Sequence, residues 1–206
     1  MAISDETTTR EQRTMRLDTK KLAFLAACSI FATDRVYPQN TIDKLQHLVE
    51  ISAQRLAIAE QVALAKWESG MPVEDVPREE RVIVSAIRAG ESRGLDQAAV
   101  SNFFRAQIEA NKLVQYSLLA EWRRVGKAPD HPPANLANTI RPELDQLETA
   151  LIAELAETAG IRANASCRAD IAKAVGKYVL EHKNRFTALR AIALDRAMAA
   201  SCTSLR

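Results

Sequence analysis

Apolar residues recur along this chain at three- and four-residue steps in six stretches, the period of helices that each bury one face. The first stretch carries Leu45, Leu48, Val49, Ser52, Leu56 and Ala59 in register, with Asn40 or Thr41 placed to cap it and Gly70 and Pro72 to end it. A second helix should start at Asp75 as N-cap, take Pro77 in its first turn and run through Val82, Ile83, Ala86 and Ile87 to Gly90. After a Gly94-Leu95-Asp96 turn, the pattern predicts a third helix over 97–125, closed by Gly126. Its stripe reads Val100, Phe104, Gln107, Asn111, Val114 with Gln115, Leu118 and Trp122, so three amides interrupt an apolar face. Buried amides need partners. Either these three bond one another or drift to the stripe's edge, or they face something polar.

Residues 126–138 hold three prolines and no apolar period, which predicts a loop. A fourth helix over 139–159 carries Leu144, Leu147, Leu151 and Leu155 and should stop at Gly160. The last stretches, 167–181 and 185–201, read as a helical hairpin turning near Lys183-Asn184. The midpoint of Cys167 and Cys202 falls near that turn, so antiparallel arms would bring the two cysteines together at the open end.

Composition narrows this to an all-α, single-domain bundle of about six helices, three of them long. The chain has 206 residues, enough to bury a core unaided, with 5% aromatics and only six glycines. Its 28 Lys+Arg against 26 Asp+Glu leave +2, without the basic excess or stripe that nucleic acid requires. His47, His131 and His182 are too scattered to suggest a metal site.

The N-terminus carries an address. Arg16, Lys20 and Lys21 precede an apolar run from Leu22 to Ala32 that is too short to span a bilayer and has the form of a cleaved signal peptide, 1–32. Met15 is an alternative start, and Leu25-Ala26-Ala27-Cys28 also has the form of a lipidation site. Export to the periplasm or beyond follows, with 33–206 as the mature domain. Loss of Cys28 leaves Cys167 and Cys202 as an even pair, which suits a disulfide in an oxidising compartment, the alternative being two unrelated buried thiols.

The candidate chemistry lies around the first turn. Arg55 and Lys66 are separated by about three helical turns plus roughly 20°, so they leave one face about 16 Å apart along the axis. Ala59, Val62 and Ala63 between them are too short to fill the space that two long cations frame. Arg78 and Arg141 lie at the starts of their helices, where the dipole disfavours a cation unless an anion holds it. Four cations around one cavity repel one another without an anion, so removing one should leave the melting temperature unchanged or higher.

Arg55 in AQRL, Lys66 in AKW, the Glu74-Asp75-x-x-Arg78-Glu79 turn, IEANKLVQYS at 108–117 and Arg141 together resemble the all-helical class of chorismate mutases, over about 42–155. Its exported subclass is the nearest in form. The resemblance implies an intramolecular rearrangement of chorismate to prephenate without cofactor or metal. It implies Arg55, Arg78 and Arg141 as carboxylate clamps, and Lys66 and Gln115 as donors to the ether oxygen. Glu79 and the Asp75 carbonyl would take the ring hydroxyl, and Asn111 would assist at a carboxylate. Asn111 departs from the small hydroxyl residue familiar there. Gln115 needs no proton to donate, so activity should be flat across neutral pH. Arg141 would complete the site within one chain, with a homodimer implied by analogy only. The competing readings are a lyase acting on isochorismate with the same fold, and an exported helical interaction module without catalysis.

Overall fold

The computed structural model describes residues 39–184 and 186–203. The expected leader 1–32, with Met15 and Cys28, lies outside the described residues, as does Arg185. All regular structure among the described residues is helical: α1 (Gln39–Ser69), α2 (Val76–Glu91), α3 (Gln97–Val125), a π-helical turn (Leu136–Ile140), α4 (Arg141–Glu157), α5 (Ala159–Arg162), α6 (Cys167–Glu181) and α7 (Ala188–Met198).

α1 is the spine. It packs against α3, α4, α6 and α7, which is why its stripe is buried on several sides rather than one. Leu45, Leu48, Val49 and Leu56 meet Phe103, Phe104 and Val114 of α3, Leu151, Ile152 and Leu155 of α4, Val175 of α6 and Leu194 of α7 in one continuous core. Full burial of each large side chain there contributes about 1.5–3 kcal/mol. Phe103 and Phe104 meet edge to face at 5.5 Å, the arrangement their ring quadrupoles favour.

The helix starts fall where the capping residues put them. Asp75 Oδ1 accepts from the Arg78 amide at 3.2 Å, and Asp96 Oδ1 from the Ala99 amide at 2.8 Å. Gly126, at φ 85°, ends α3 in the left-handed conformation that favours glycine. At Gly90 the constraint is space. A Cβ there would lie 2.8 Å from Val100 Cγ2, so α2 and α3 approach closely only because position 90 lacks one.

The expected fourth helix is divided differently. It begins at Arg141 after the π-helical turn, and Gly160 does not stop it. The chain bends at Thr158 and continues as α5. Buried side chains at and after the bend add hydrogen bonds to main-chain carbonyls. Thr158 Oγ1 donates to the Glu154 carbonyl at 2.6 Å, and Arg162 donates to the Leu155 carbonyl at 3.1 Å and the Ser201 carbonyl at 2.8 Å. Burial lowers the Arg162 pKa to about 10, which still leaves it charged at neutral pH.

The C-terminal hairpin is likewise adjusted. Its second arm starts at Ala188 rather than 185, because the Thr187 hydroxyl caps the Arg190 amide at 3.3 Å. The arms pack less on each other than on the spine: α6 lies chiefly on α1 and α7 chiefly on α3. Cys167 and Cys202 are joined by a disulfide, with Cα atoms 5.9 Å apart.

Candidate active site

α1, α2, α3, the 70–75 turn and the 136–148 segment enclose a cavity of about 500 Å³, a size that suits a small ligand. All eight residues expected from the sequence line it: Arg55, Lys66, Asp75, Arg78, Glu79, Asn111, Gln115 and Arg141. Of the three short residues expected between Arg55 and Lys66, only Val62 reaches the cavity. Ala59 and Ala63 are spent on helix packing.

Arg55 is the most buried cation of the cavity, 6% exposed. Among the described residues no carboxylate lies within 4.0 Å of its guanidinium, and its Nε is buried without a hydrogen-bond partner. Burial lowers its pKa to about 10, partly offset by the charge of Glu148, so it is cationic at neutral pH. Lys66 donates from Nζ to the Val73 carbonyl at 2.5 Å, which draws the 70–75 turn over the cavity. Burial pulls its pKa below the ordinary value, against the opposing pull of Asp75 and Glu79. An ammonium has three donors, so Lys66 keeps capacity for a ligand.

The amides separate into two roles. Gln107 lies outside the cavity and ties α3 to α1 and α7, donating to Ser52 Oγ at 2.9 Å and the Ala197 carbonyl at 3.3 Å. Asn111 donates from Nδ2 to the Arg55 carbonyl at 3.1 Å and accepts from Gln115 Nε2 at 2.6 Å. Each amide group retains one unused N–H. Bonding between amides, one of the two bland accounts, therefore holds for the pair that also lines the cavity.

The two cations at helix starts are held as their placement demanded. Arg78 Nη2 meets Asp145 Oδ1 at 2.8 Å, and Arg141 Nη2 lies 3.9 Å from Asp75 Oδ2. The expectation of an uncompensated cationic cluster is corrected here. Arg55, Lys66, Arg78, Lys112 and Arg141 are matched along the wall by Glu74, Asp75, Glu79, Asp145 and Glu148. Glu148, 7% exposed, has its carboxyl pushed above the usual range by burial, while a Ser85 hydrogen bond and the Arg55 charge act the other way.

Lys112, Asp145 and Glu148 were missed from sequence. Asp145 and Glu148 stand four and seven residues after Arg141, on the same helical face, and Lys112 stands three before Gln115, so helical spacing alone carried the signal.

The cavity thus offers cations balanced by carboxylates, and neutral donors, around an apolar floor that includes Val62 and Ile108, with no paired nucleophile and base among the described residues. Such a site holds a compact anion and stabilises charge developing on it. The family profile for Chorismate mutase type II matches residues 40–116. The chain is 30% identical over 128 residues to a secreted chorismate mutase of Mycolicibacterium smegmatis, covering 62% of this chain and 70% of that protein. It is 28% identical over 163 residues to a secreted chorismate mutase of Mycobacterium tuberculosis, covering 79% and 80%. The crystal structure of chorismate mutase from Burkholderia phymatum superposes with a TM-score of 0.75 at 42% identity, covering 80% of this chain and 99% of that one. With the fold, the cavity and these likenesses in agreement, the chain belongs to the chorismate mutase family.

Proposed function

We infer that the protein is a chorismate mutase, converting chorismate to prephenate by breaking one C–O bond as a C–C bond forms within the same molecule. The observation that carries this reading is Arg55: a buried guanidinium without a carboxylate partner, facing a cavity that also holds Lys66 and Gln115. Burial of a cation with no partner is costly unless an anion completes it. No proton moves in this rearrangement, so the protein's work is to hold the flexible dicarboxylate in its compact reactive form. Arg55, Arg78 and Arg141 clamp the carboxylates, with planar forks that match them, and Asn111 assists with its unused N–H. Lys66 and Gln115 donate to the ether oxygen as it gains negative charge, and Glu79 accepts from the ring hydroxyl, the Asp75 carbonyl being already taken by the Arg78 and Glu79 amides at 2.9 Å.

The test is incubation of purified protein with chorismate, following loss of its ultraviolet absorbance and identifying the product. Prephenate is expected. With isochorismate supplied in a parallel assay, release of pyruvate from it and no turnover of chorismate would assign the lyase reading, and turnover of neither would leave an interaction module.

The apolar run from Leu22 to Ala32, and the two mycobacterial relatives named as secreted, support export and cleavage of 1–32, with lipidation at Cys28 as the alternative. Mass spectrometry of the exported protein distinguishes them. A homodimer is proposed on family likeness alone.

A further inference from the structure

Lys112 lines the cavity, yet its ammonium is committed elsewhere. Nζ lies 2.7 Å from Glu109 Oε1, 3.3 Å from Glu79 Oε2 and 3.9 Å from Glu74 Oε1. Glu79 is held from both sides, since its Oε1 accepts from the Asp75 amide at 3.3 Å. Glu109 is in turn 3.7 Å from Arg196 Nη2 on α7. A chain of alternating charges therefore runs from α7 through α3 to the 74–79 corner. Burial draws the Lys112 pKa down, but hydrogen bonds to Glu109 and Glu79 outweigh it and hold the group above its ordinary value.

Without this ammonium, Glu74, Glu79 and Glu109 lose the cation that all three approach, while Lys66 and Arg141 remain on the Asp75 side and Arg196 on the Glu109 side. Like charges so placed drive a carboxylate outward or make it take a proton. A displaced or protonated Glu79 accepts poorly from a hydroxyl. Asn111 and Gln115, on the same helix, have partners of their own and do not depend on Lys112.

We propose that Lys112 is the positioning residue of the hydroxyl-accepting corner: it fixes the Glu79 carboxylate, and through it the Asp75 backbone, and so sets selectivity for a hydroxylated ring. This rests on the role of Glu79 given above. Lys112 touches no reacting atom. Its contribution appears only where the ligand has a hydroxyl to offer.

The experiment compares kcat/KM for chorismate with that for an analogue lacking the ring hydroxyl, in the wild type, Lys112→Met and Lys112→Arg. Lys112→Met should lose about tenfold or more on chorismate but less than about threefold on the analogue. Lys112→Arg should recover most of the loss, and in a Glu79→Gln background Lys112→Met should cost less than about twofold. If the methionine variant does not fold, Lys112→Gln with Glu109→Gln removes one charge of each sign and is read by the same ratio. Equal losses on both compounds, or no loss on either, would overturn the proposal. Failure of the wild type to turn over chorismate would instead overturn the function it rests on.

Discussion

Arg55 and Glu148 show how single residues divide binding from stability. Arg55→Ala and Lys66→Ala should each lower kcat by about two to three powers of ten, as loss of one charge-stabilising donor does elsewhere, measured by decay of chorismate absorbance. The melting temperature should not rise with Arg55→Ala, because the carboxylates along the wall remove the repulsion on which that expectation stood. The substitution takes from Glu148 only a charge beyond 4.0 Å, and Glu148 keeps its Ser85 hydrogen bond, so stability should change by less than about 1 kcal/mol in thermal melts. The carboxyl of Glu148 binds its proton more readily folded than unfolded, so its contribution favours folding at low pH and is lost as pH rises through the raised range. Turnover should stay flat across neutrality, since Gln115 does not titrate, and fall as pH approaches the Arg55 value of about 10; a steep loss between about pH 6 and 8 would contradict the Gln115 role. The cations were legible in the sequence because helical spacing fixes their face. Asp75 and Glu79 were legible with them, but Asp145, Glu148 and the further cation Lys112 were not, since a site for a dianion gives no reason to look for paired charges in its wall.

Among the elements, boundaries were legible wherever a local side chain sets them, as Asp75, Asp96 and Gly126 do. They were obscure where distant contacts decide. At the bend after Glu157, Arg162 reaches the Ser201 carbonyl, 39 residues on, a contact that no local pattern announces. The start of α7 is the exception, falling three residues after the expected one although a local cap, the Thr187 hydroxyl, sets it. The disulfide was legible from the cysteine midpoint, and it closes a separation of 35 residues. Removing it as Cys167→Ala with Cys202→Ala should lower stability by about 2–4 kcal/mol in denaturant melts. Because α6 and α7 rest on α1 and α3 rather than on each other, the folded variant should keep kcat/KM within about twofold. A large loss of activity at unchanged stability would show instead that the staple shapes the cavity.

For the chain as a whole, one helix serves both the core and the site. α1 buries Leu45, Leu48 and Leu56 and presents Arg55, Val62 and Lys66 along the same length, so the cavity is as rigid as the packing beneath it. The matched charges lining the wall have a further consequence for how a ligand arrives. Five cations set against five carboxylates leave little net field beyond the cavity mouth, and the chain's formal charge of +2 adds little to it. Long-range steering of a dianion is then weak, and capture depends on chance encounter followed by short-range exchange of partners at Arg78 and Arg141. Raising the salt from about 20 to 200 mM should therefore change kcat/KM by less than about threefold, where an unbalanced cationic funnel would lose far more.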